Sequence, residues 1–248
     1  MPYLSRTRFK KEIVAEFAKP EGKSNKVIIY CDGAPTVPNK GDAIEFWANK
    51  GYWVFYIRYR GCWESGGKFL KESLENEVLD VLDELPKGFT DFMDDKTYTV
   101  QPKKVVVIGG SFGGPAAILA TRDKRVQKAI AISPVVDWTY PSKAEPMDWL
   151  YGYMRNAFGE GYRFDKKDWD RLARGEFYNP VNHIDEIFGK KLFMVHAMDD
   201  ESVDYRPVKE FAEKTGATLV LKRSGGHLSS RILTKSPLYK KIAHFLDK

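Results

Sequence analysis

The sequence predicts an α/β protein whose mostly parallel central sheet is covered by helices on both faces. Two observations carry this prediction. Short apolar runs alternate along the whole chain with segments of helical periodicity. The runs are continuous in their apolar character, as in strands buried on both faces of a parallel sheet. A length of 248 residues also suits one undivided α/β domain, which would span residues 1–248.

The predicted elements follow one another in a regular order. Residues 8–18 are expected to form a hairpin or strand pair. Buried strands are predicted over 27–30, 52–57, 104–108, 129–132, 192–195 and 218–221. Helices are predicted over 43–49, 72–85, 115–120, 206–214 and 239–246. In the second of these helices, Val78, Leu82 and Leu85 recur at helical spacing, and Pro86 ends the pattern.

One segment, residues 137–180, interrupts the alternation. It holds eleven of the 34 aromatic residues of the chain in 44 positions. We interpret it as a helical cap insertion above the carboxyl edge of the sheet, where open α/β sheets bind ligands. Trp138, Trp149 and Tyr153 are then the substrate-binding candidates. Alternatively, these aromatics form a small core of their own or a contact between subunits.

Composition narrows the class of protein. The net charge is +6, but Lys and Arg are spread along the chain and interleaved with acids, so nucleic acid is not an expected partner. Residues 1–11 lack the apolar core of a signal peptide, and no apolar run approaches 18 residues, so a membrane is not expected either. Two cysteines, Cys31 and Cys62, are too few for a disulfide framework, and free thiols are favoured over a bond between them. A cytoplasmic protein is predicted.

A glycine-rich turn provides the first catalytic candidate. The predicted strand 104–108, apolar from Val105 to Ile108, leads directly into Gly109-x-Ser111-x-Gly113, and an apolar helical segment follows. This strand–turn–helix context is that of a nucleophile elbow, in which glycines let the turn hold a serine at the end of the strand. Ser111 is therefore the candidate nucleophile, although the motif without its context is weak.

The candidate base is found among only four histidines. His227 follows Gly225 and Gly226 on a loop after the last predicted strand, and it comes after Ser111 in the chain, as the order of a serine hydrolase requires. His196 ends a strand, whereas His183 and His244 lie in helical surroundings. These three histidines are more readily explained as structural residues.

The candidate acid is expected on the loop after the strand 192–195. Three adjacent carboxylates, Asp199, Asp200 and Glu201, lie there, and spacing alone does not choose among them. A buried carboxylate is needed to orient the imidazole and stabilise its charged form. Asp137, after the strand 129–132, is a reserve candidate.

Two backbone N–H groups are needed to bind the oxyanion. One is expected from Phe112, the residue after the nucleophile, and the other from the loop after an earlier strand. The small residues of Asp32-Gly33-Ala34 allow close approach of the backbone, and we choose the Ala34 N–H. No His, Cys or Asp cluster has metal-ligand spacing, so neither a metal nor a cofactor is predicted.

Together these residues resemble the α/β-hydrolase superfamily, and within it the catalytic domain of the prolyl oligopeptidase family and its esterase relatives. Residues 109–114 are similar to the nucleophile motif of the family, with Phe112 where tyrosine is usual. Residues 59–61 with 65–67, 133–138 and 178–180 are also similar to family segments. The histidine–aspartate motif of the family falls on residues 196–203. That register selects Asp200, and Gly226-His227 matches the family histidine.

The chain departs from the family pattern in three respects. Ala197 replaces a motif glycine. Asp32 stands where relatives have a histidine or tyrosine that aids the oxyanion, so its carboxylate must point away, be neutralised or serve another role. The N-terminal β-propeller of the large peptidases is not expected in this sequence, which favours small esters over peptides.

The sequence thus predicts a serine hydrolase that cleaves carboxylic esters through an acyl-enzyme. The alternative is a peptidase that acts on short or N-terminally blocked peptides. A third hypothesis is a catalytically silent member of the fold that serves as a binding protein. The expected partner is a small ester or short peptide, and the oligomeric state is not predicted.

Overall fold

The computed structural model describes residues 5–248. Residues 1–4 lie outside the described residues. They belong to the segment 1–11, in which the sequence predicts no signal peptide. The chain forms an eight-stranded sheet. Its strands are β1 (Ser5–Phe9), β2 (Ile13–Ala18), β3 (Lys26–Cys31), β4 (Trp53–Ile57), β7 (Lys104–Gly110), β8 (Lys128–Ile132), β9 (Leu192–Ala197) and β10 (Thr218–Lys222). Their order across the sheet is β1-β2-β4-β3-β7-β8-β9-β10.

The sheet is mostly parallel, as predicted. β1 pairs antiparallel with β2, and β2 pairs antiparallel with β4, whereas every pairing from β4 across to β10 is parallel. Two further strands, β5 (Phe89–Thr90) and β6 (Thr97–Tyr98), form a separate antiparallel ribbon that the sequence did not predict. With two residues each, they are too short to show a recognisable period.

Helices cover both faces of the sheet. They are α1 (Gly41–Ala48), α2 (Glu75–Glu84), α3 (Gly114–Ala120), α4 (Met147–Phe158), α5 (Lys166–Ala173), α6 (Tyr205–Thr215) and α7 (Leu238–Asp247). α2 begins three residues later than predicted. α6 begins where the Asp204 carboxylate accepts a hydrogen bond from the Arg206 N–H, and it ends at Gly216, whose φ is 69°. Within residues 5–248, no helix is long and apolar enough to cross a membrane.

The alternation of side chains along each strand builds two cores. Val105 and Val107 of β7 face a cluster that includes α2, α3, α5 and α6. Val106 and Ile108 face the opposite cluster, which includes α1 and α7. Continuous apolar strands are therefore buried on both faces, and the predicted three-layer α/β architecture is confirmed.

Residues 137–180 contain α4 and α5. Met154 and Trp169 are fully buried and belong to the same core cluster as the sheet. Trp169 lies with its ring centroid 6.4 Å from that of Phe112, the residue after Ser111. Trp149 and Tyr153 remain about half exposed on α4. The aromatic density of this segment therefore serves mainly to attach it to one face of the sheet beside Ser111.

Candidate active site

The turn between β7 and α3 holds Ser111 in a left-handed conformation, with φ of 52°. A Cβ on Gly109 would lie 2.1 Å from the Gly113 carbonyl oxygen, and one on Gly113 would lie 2.3 Å from the Asp32 carbonyl oxygen. Both contacts are far too short, so only glycine fits either position. The two glycines let the turn close tightly, and the positive φ of Ser111 is the strained geometry expected of an elbow.

His227 and Asp200 form a hydrogen-bonded pair. His227 Nδ1 lies 2.9 Å from Asp200 Oδ2 and 3.1 Å from Oδ1. The Asp200 side chain is fully buried, whereas that of His227 is 32 % exposed. The imidazole and Ser111 line the same pocket. Among the hydrogen bonds of residues 5–248, none joins the Ser111 hydroxyl to the imidazole, a contact that often tightens only when substrate is bound.

The Asp200 carboxylate accepts several further hydrogen bonds. The N–H groups of Ser202 and Val203 donate to its Oδ1 at 3.1 and 3.0 Å. Burial would raise the pKa of Asp200, but the hydrogen bonds from His196, His227 and the Val203 N–H outweigh burial and hold that pKa far below its usual range. The carboxylate therefore stays ionised and can stabilise a protonated imidazole.

The neighbouring carboxylates have different surroundings. Asp199 accepts hydrogen bonds from the Gly226 and Gly225 N–H groups, at 2.9 and 3.1 Å, and so anchors the loop that carries His227. Asp137 accepts from the N–H and hydroxyl of Thr139. Of these three aspartates, the structure places only Asp200 against the imidazole, which is the residue that the family register selected.

The sequence favours a structural role for His196, and the structure places this residue beside the acid. Its ring is fully buried, and Nε2 lies 2.9 Å from the Val203 carbonyl oxygen and 3.3 Å from Asp200 Oδ2. Because both neighbours are acceptors, Nε2 carries the proton. The sequence signals for this contact are the spacing of four residues between His196 and Asp200 and the family motif on residues 196–203, which contains both.

Two N–H groups near Ser111 are the candidates for binding the oxyanion. Phe112 lies in the first turn after Ser111, where N–H groups have no partner within the helix. In the loop after β3, the Gly33 N–H is taken by its neighbour Asp32 at 3.0 Å. The Ala34 N–H donates to no group among residues 5–248. A Cβ on Gly33 would lie 3.3 Å from Ser111 Cβ, so this loop runs directly beside the serine.

Asp32 is neutralised, which is one of the three outcomes expected for it. Lys40 Nζ lies 3.0 Å from Asp32 Oδ1, and the Tyr56 hydroxyl donates to Oδ2. Burial, with the negative charge of Asp32, raises the pKa of Tyr56 far above its ordinary value, so this hydroxyl keeps its proton. The sequence does not predict the ion pair of Lys40 with Asp32, because no local pattern relates the two residues.

Two pockets meet at Ser111. The larger, about 370 Å³, is lined by Trp138 and by apolar residues of the segment that follows β8. The smaller, about 290 Å³, is lined by His227 and by Trp149 and Tyr153, whose rings stack 5.1 Å apart. Ser111, Ala34, Glu145 and Leu150 line both. Each of the three aromatic candidates therefore lies at the site, although Trp138 is buried and its indole N–H donates to the Tyr178 carbonyl oxygen.

Neither cysteine is bonded, and no metal centre is evident. Cys31 and Cys62 are both free and buried. Within residues 5–248, no three His, Cys, Asp or Glu side chains are grouped so as to hold a metal ion.

A mostly parallel sheet of this order, with a serine at positive φ between strand and helix, defines the α/β-hydrolase fold. The sequence pattern of the prolyl oligopeptidase family matches residues 40–248. The chain therefore belongs to the prolyl oligopeptidase family and is a serine hydrolase, as its resemblance to that family predicted.

Solved structures show the same fold. An esterase from Pyrococcus furiosus is similar with a TM-score of 0.67 at 20% identity, over 99% of this chain and 89% of its own. The acylaminoacyl peptidase of Pyrococcus horikoshii is similar with a TM-score of 0.67 at 17% identity, over 98% of this chain but 41% of its own. A thermophilic esterase from the Planctomycetes species Thermogutta terrifontis, in a propionate-bound structure, has a TM-score of 0.62 at 16% identity, over 98% and 92%. No curated protein matches the chain in sequence.

Proposed function

We propose that this serine hydrolase cleaves small carboxylic esters through an acyl-enzyme. The observation that carries the proposal is the position of Ser111. It stands at positive φ where two pockets meet, and one of these pockets contains a histidine hydrogen-bonded to a buried carboxylate. These are the components of nucleophilic catalysis by serine.

In the proposed reaction, Ser111 Oγ attacks the ester carbonyl while His227 Nε2 takes its proton. Asp200 holds the proton on Nδ1 and stabilises the imidazolium. The Phe112 and Ala34 N–H groups donate to the oxyanion. The leaving alcohol takes the proton from His227 as its bond to carbon breaks. Water then attacks the acyl-enzyme, giving its proton to His227, and Ser111 is released with its own proton restored.

The two pockets suggest which part of the substrate each one holds. The leaving group must depart on the side of the imidazole that protonates it, and His227 lines the smaller pocket with Trp149 and Tyr153. The acyl group then occupies the larger pocket against Trp138. In this proposal residues 137–180 act as the cap, since they provide walls of both pockets. An apolar acyl chain of a few carbons suits a cavity of about 370 Å³.

A fluorophosphonate probe tests for the activated serine. We expect it to label the wild-type protein and Ser224→Ala, which removes an exposed serine from the His227 loop, but not Ser111→Ala. p-Nitrophenyl butyrate should be hydrolysed with the same dependence on Ser111. Labelling that persists in Ser111→Ala would show that another nucleophile reacts.

The second candidate function is a peptidase acting on short or N-blocked peptides. It is supported by the likeness to the acylaminoacyl peptidase, which extends over 98% of this chain. Acylaminoacyl p-nitroanilides distinguish the two readings, because turnover confined to the anilides would replace the esterase proposal.

A non-catalytic binding protein is less well supported. An unpaired Asp32 carboxylate would favour it, because that charge would oppose the oxyanion, but the Lys40 ion pair removes this objection to catalysis.

The two free, buried thiols support the proposed cytoplasmic location, a reducing compartment.

A further inference from the structure

A third cavity shares His227, Leu228 and Ser229 with the smaller pocket at Ser111. Its volume is about 610 Å³, and its walls come from the end of β10, the His227 loop, the turn 230–234 and the start of α7. Four cationic side chains, Lys222, Arg231, Lys235 and Lys241, line it, and no carboxylate does.

These four cations have no acidic partners. None of the four makes an ion pair or side-chain hydrogen bond with any of residues 5–248. Some other surface cations are closely paired, such as Arg60 with Glu12 and Asp80, and Arg125 with Asp83 and Asp123.

The neighbouring acid offsets only part of this charge. Asp199 lies on the adjacent loop, and the Gly226 and Gly225 N–H groups that donate to it lower its pKa and keep it ionised, but it is not part of the cavity wall. Four cations therefore line one concave surface beside the Asp199 carboxylate. Arg231, Lys235 and Lys241 are exposed to solvent, and together the cations give this surface a positive potential that favours an anionic ligand.

The start of α7 adds to the positive potential. Ser236, Pro237 and Leu238 all line the cavity, and no side chain caps the helix. The N-terminal end of a helix carries partial positive charge and favours anions.

We propose that this cavity is a binding site for a multiply charged oxyanion of the phosphate type. Its chemistry differs from that of the pocket assigned to the acyl group, which is lined by carboxylates. His227 also lines the cavity, but the proposal does not depend on the esterase function, because it rests on Lys222, Arg231, Lys235 and Lys241, which lie outside the proposed catalytic set.

The test is calorimetric titration of the full-length protein with inorganic pyrophosphate at constant ionic strength. We expect saturable binding to the wild type. The triple variant Arg231→Gln/Lys235→Gln/Lys241→Gln should bind at least about tenfold more weakly, since charge-assisted hydrogen bonds are lost. The matched control Lys71→Gln/Lys124→Gln/Lys167→Gln removes the same charge at exposed lysines elsewhere and should bind like the wild type.

Three outcomes would overturn the proposal: no saturable binding to the wild type, equal weakening in both triple variants, or unchanged binding in the cavity variant. Equal weakening would mean that only overall charge attracts the anion. Circular dichroism confirms that the variants fold. Ser111→Ala should bind pyrophosphate normally, so failure of the anion site and failure of the proposed hydrolysis remain distinguishable.

Discussion

Lys40 Nζ lies 3.0 Å from Asp32 Oδ1, one residue before the loop that approaches Ser111. The side chains are 20% and 14% exposed, so solvent screens this pair only in part. The lysine thus offsets a negative charge close to the place where the oxyanion would form. It also leaves Asp32 free to accept hydrogen bonds from Tyr56 and the Gly33 N–H, which hold the loop in position.

The first prediction concerns this ion pair. Lys40→Met should lower kcat for p-nitrophenyl butyrate about tenfold, because the uncompensated Asp32 carboxylate then opposes the oxyanion. Adding Asp32→Asn should recover most of the loss, since asparagine keeps an acceptor for Gly33 without the charge. Steady-state kinetics on the two single variants and the double variant provide the measurement. Losses that simply add would contradict a role for the pair.

The second prediction concerns the acid. Asp200→Asn should reduce kcat about 10⁴-fold, because asparagine no longer holds the imidazole tautomer or stabilises its charge. Hydrogen bonds hold the pKa of Asp200 far below its usual range, so the carboxylate is ionised at every working pH and the loss should appear at each of them. Steady-state kinetics of wild type and variant at several pH values measure the effect.

Asp199→Asn is the matched control for this experiment. It removes a neighbouring charge and weakens the anchor of the His227 loop, so we expect a loss within about tenfold. Should Asp200→Asn keep near-full activity, Asp137 would return as the candidate acid.

The third prediction concerns charge in the larger pocket. Asp137, Glu145, Asp148 and Asp204 line it, without a Lys or Arg from residues 5–248. An ester of a succinate monoanion should therefore be cleaved at least about tenfold more slowly than the butyrate ester. Glu145→Gln should bring the kcat/KM values for the butyrate and succinate esters closer together, because Glu145 lines both pockets. Glu160→Gln, on the exposed surface, should leave the ratio of the two values unchanged. A ratio near one in the wild type would refute the assignment of this pocket to the acyl group.

The fourth prediction concerns stability. Burial raises the pKa of Glu77 from 4.5 to about 8, although the Arg60 N–H donates to its carboxyl. Because the folded-state pKa is the higher one, the folded protein holds a proton that the unfolded chain loses. The contribution of Glu77 to the free energy of unfolding is therefore fully present below about pH 4.5. It falls by about 1.4 kcal/mol per pH unit as the pH rises to about 8.

Glu77→Gln should remove this loss. Between pH 5.5 and 8.5, its free energy of unfolding should gain about 3 kcal/mol relative to the wild type, measured by urea denaturation. Glu72→Gln, at an exposed position, serves as the control and should follow the wild type. Parallel pH dependences for wild type and Glu77→Gln would show that Glu77 ionises normally.

Features that depend on near neighbours in the chain were predictable. The strand 104–108 leading into Gly109-x-Ser111-x-Gly113 is one such feature, because the clash that excludes a Cβ at Gly109 comes from Gly113, four residues away. The parallel sheet is another, since continuous apolar runs are stable only when helices cover both faces. The two-residue strands β5 and β6 were missed because they are too short to show a pattern.

The sequence by itself determined the α/β fold, the elbow and the short list of residues able to act with Ser111. Only the tertiary structure decided how these residues meet: that His227 faces Asp200 while Asp199 holds the glycine loop, that His196 lies against the same carboxylate, and that Lys40 neutralises Asp32. The physical reason is that turns and strands follow from steric limits and burial among adjacent residues. Hydrogen bonds and ion pairs depend instead on the directions of side chains that come from distant parts of the chain.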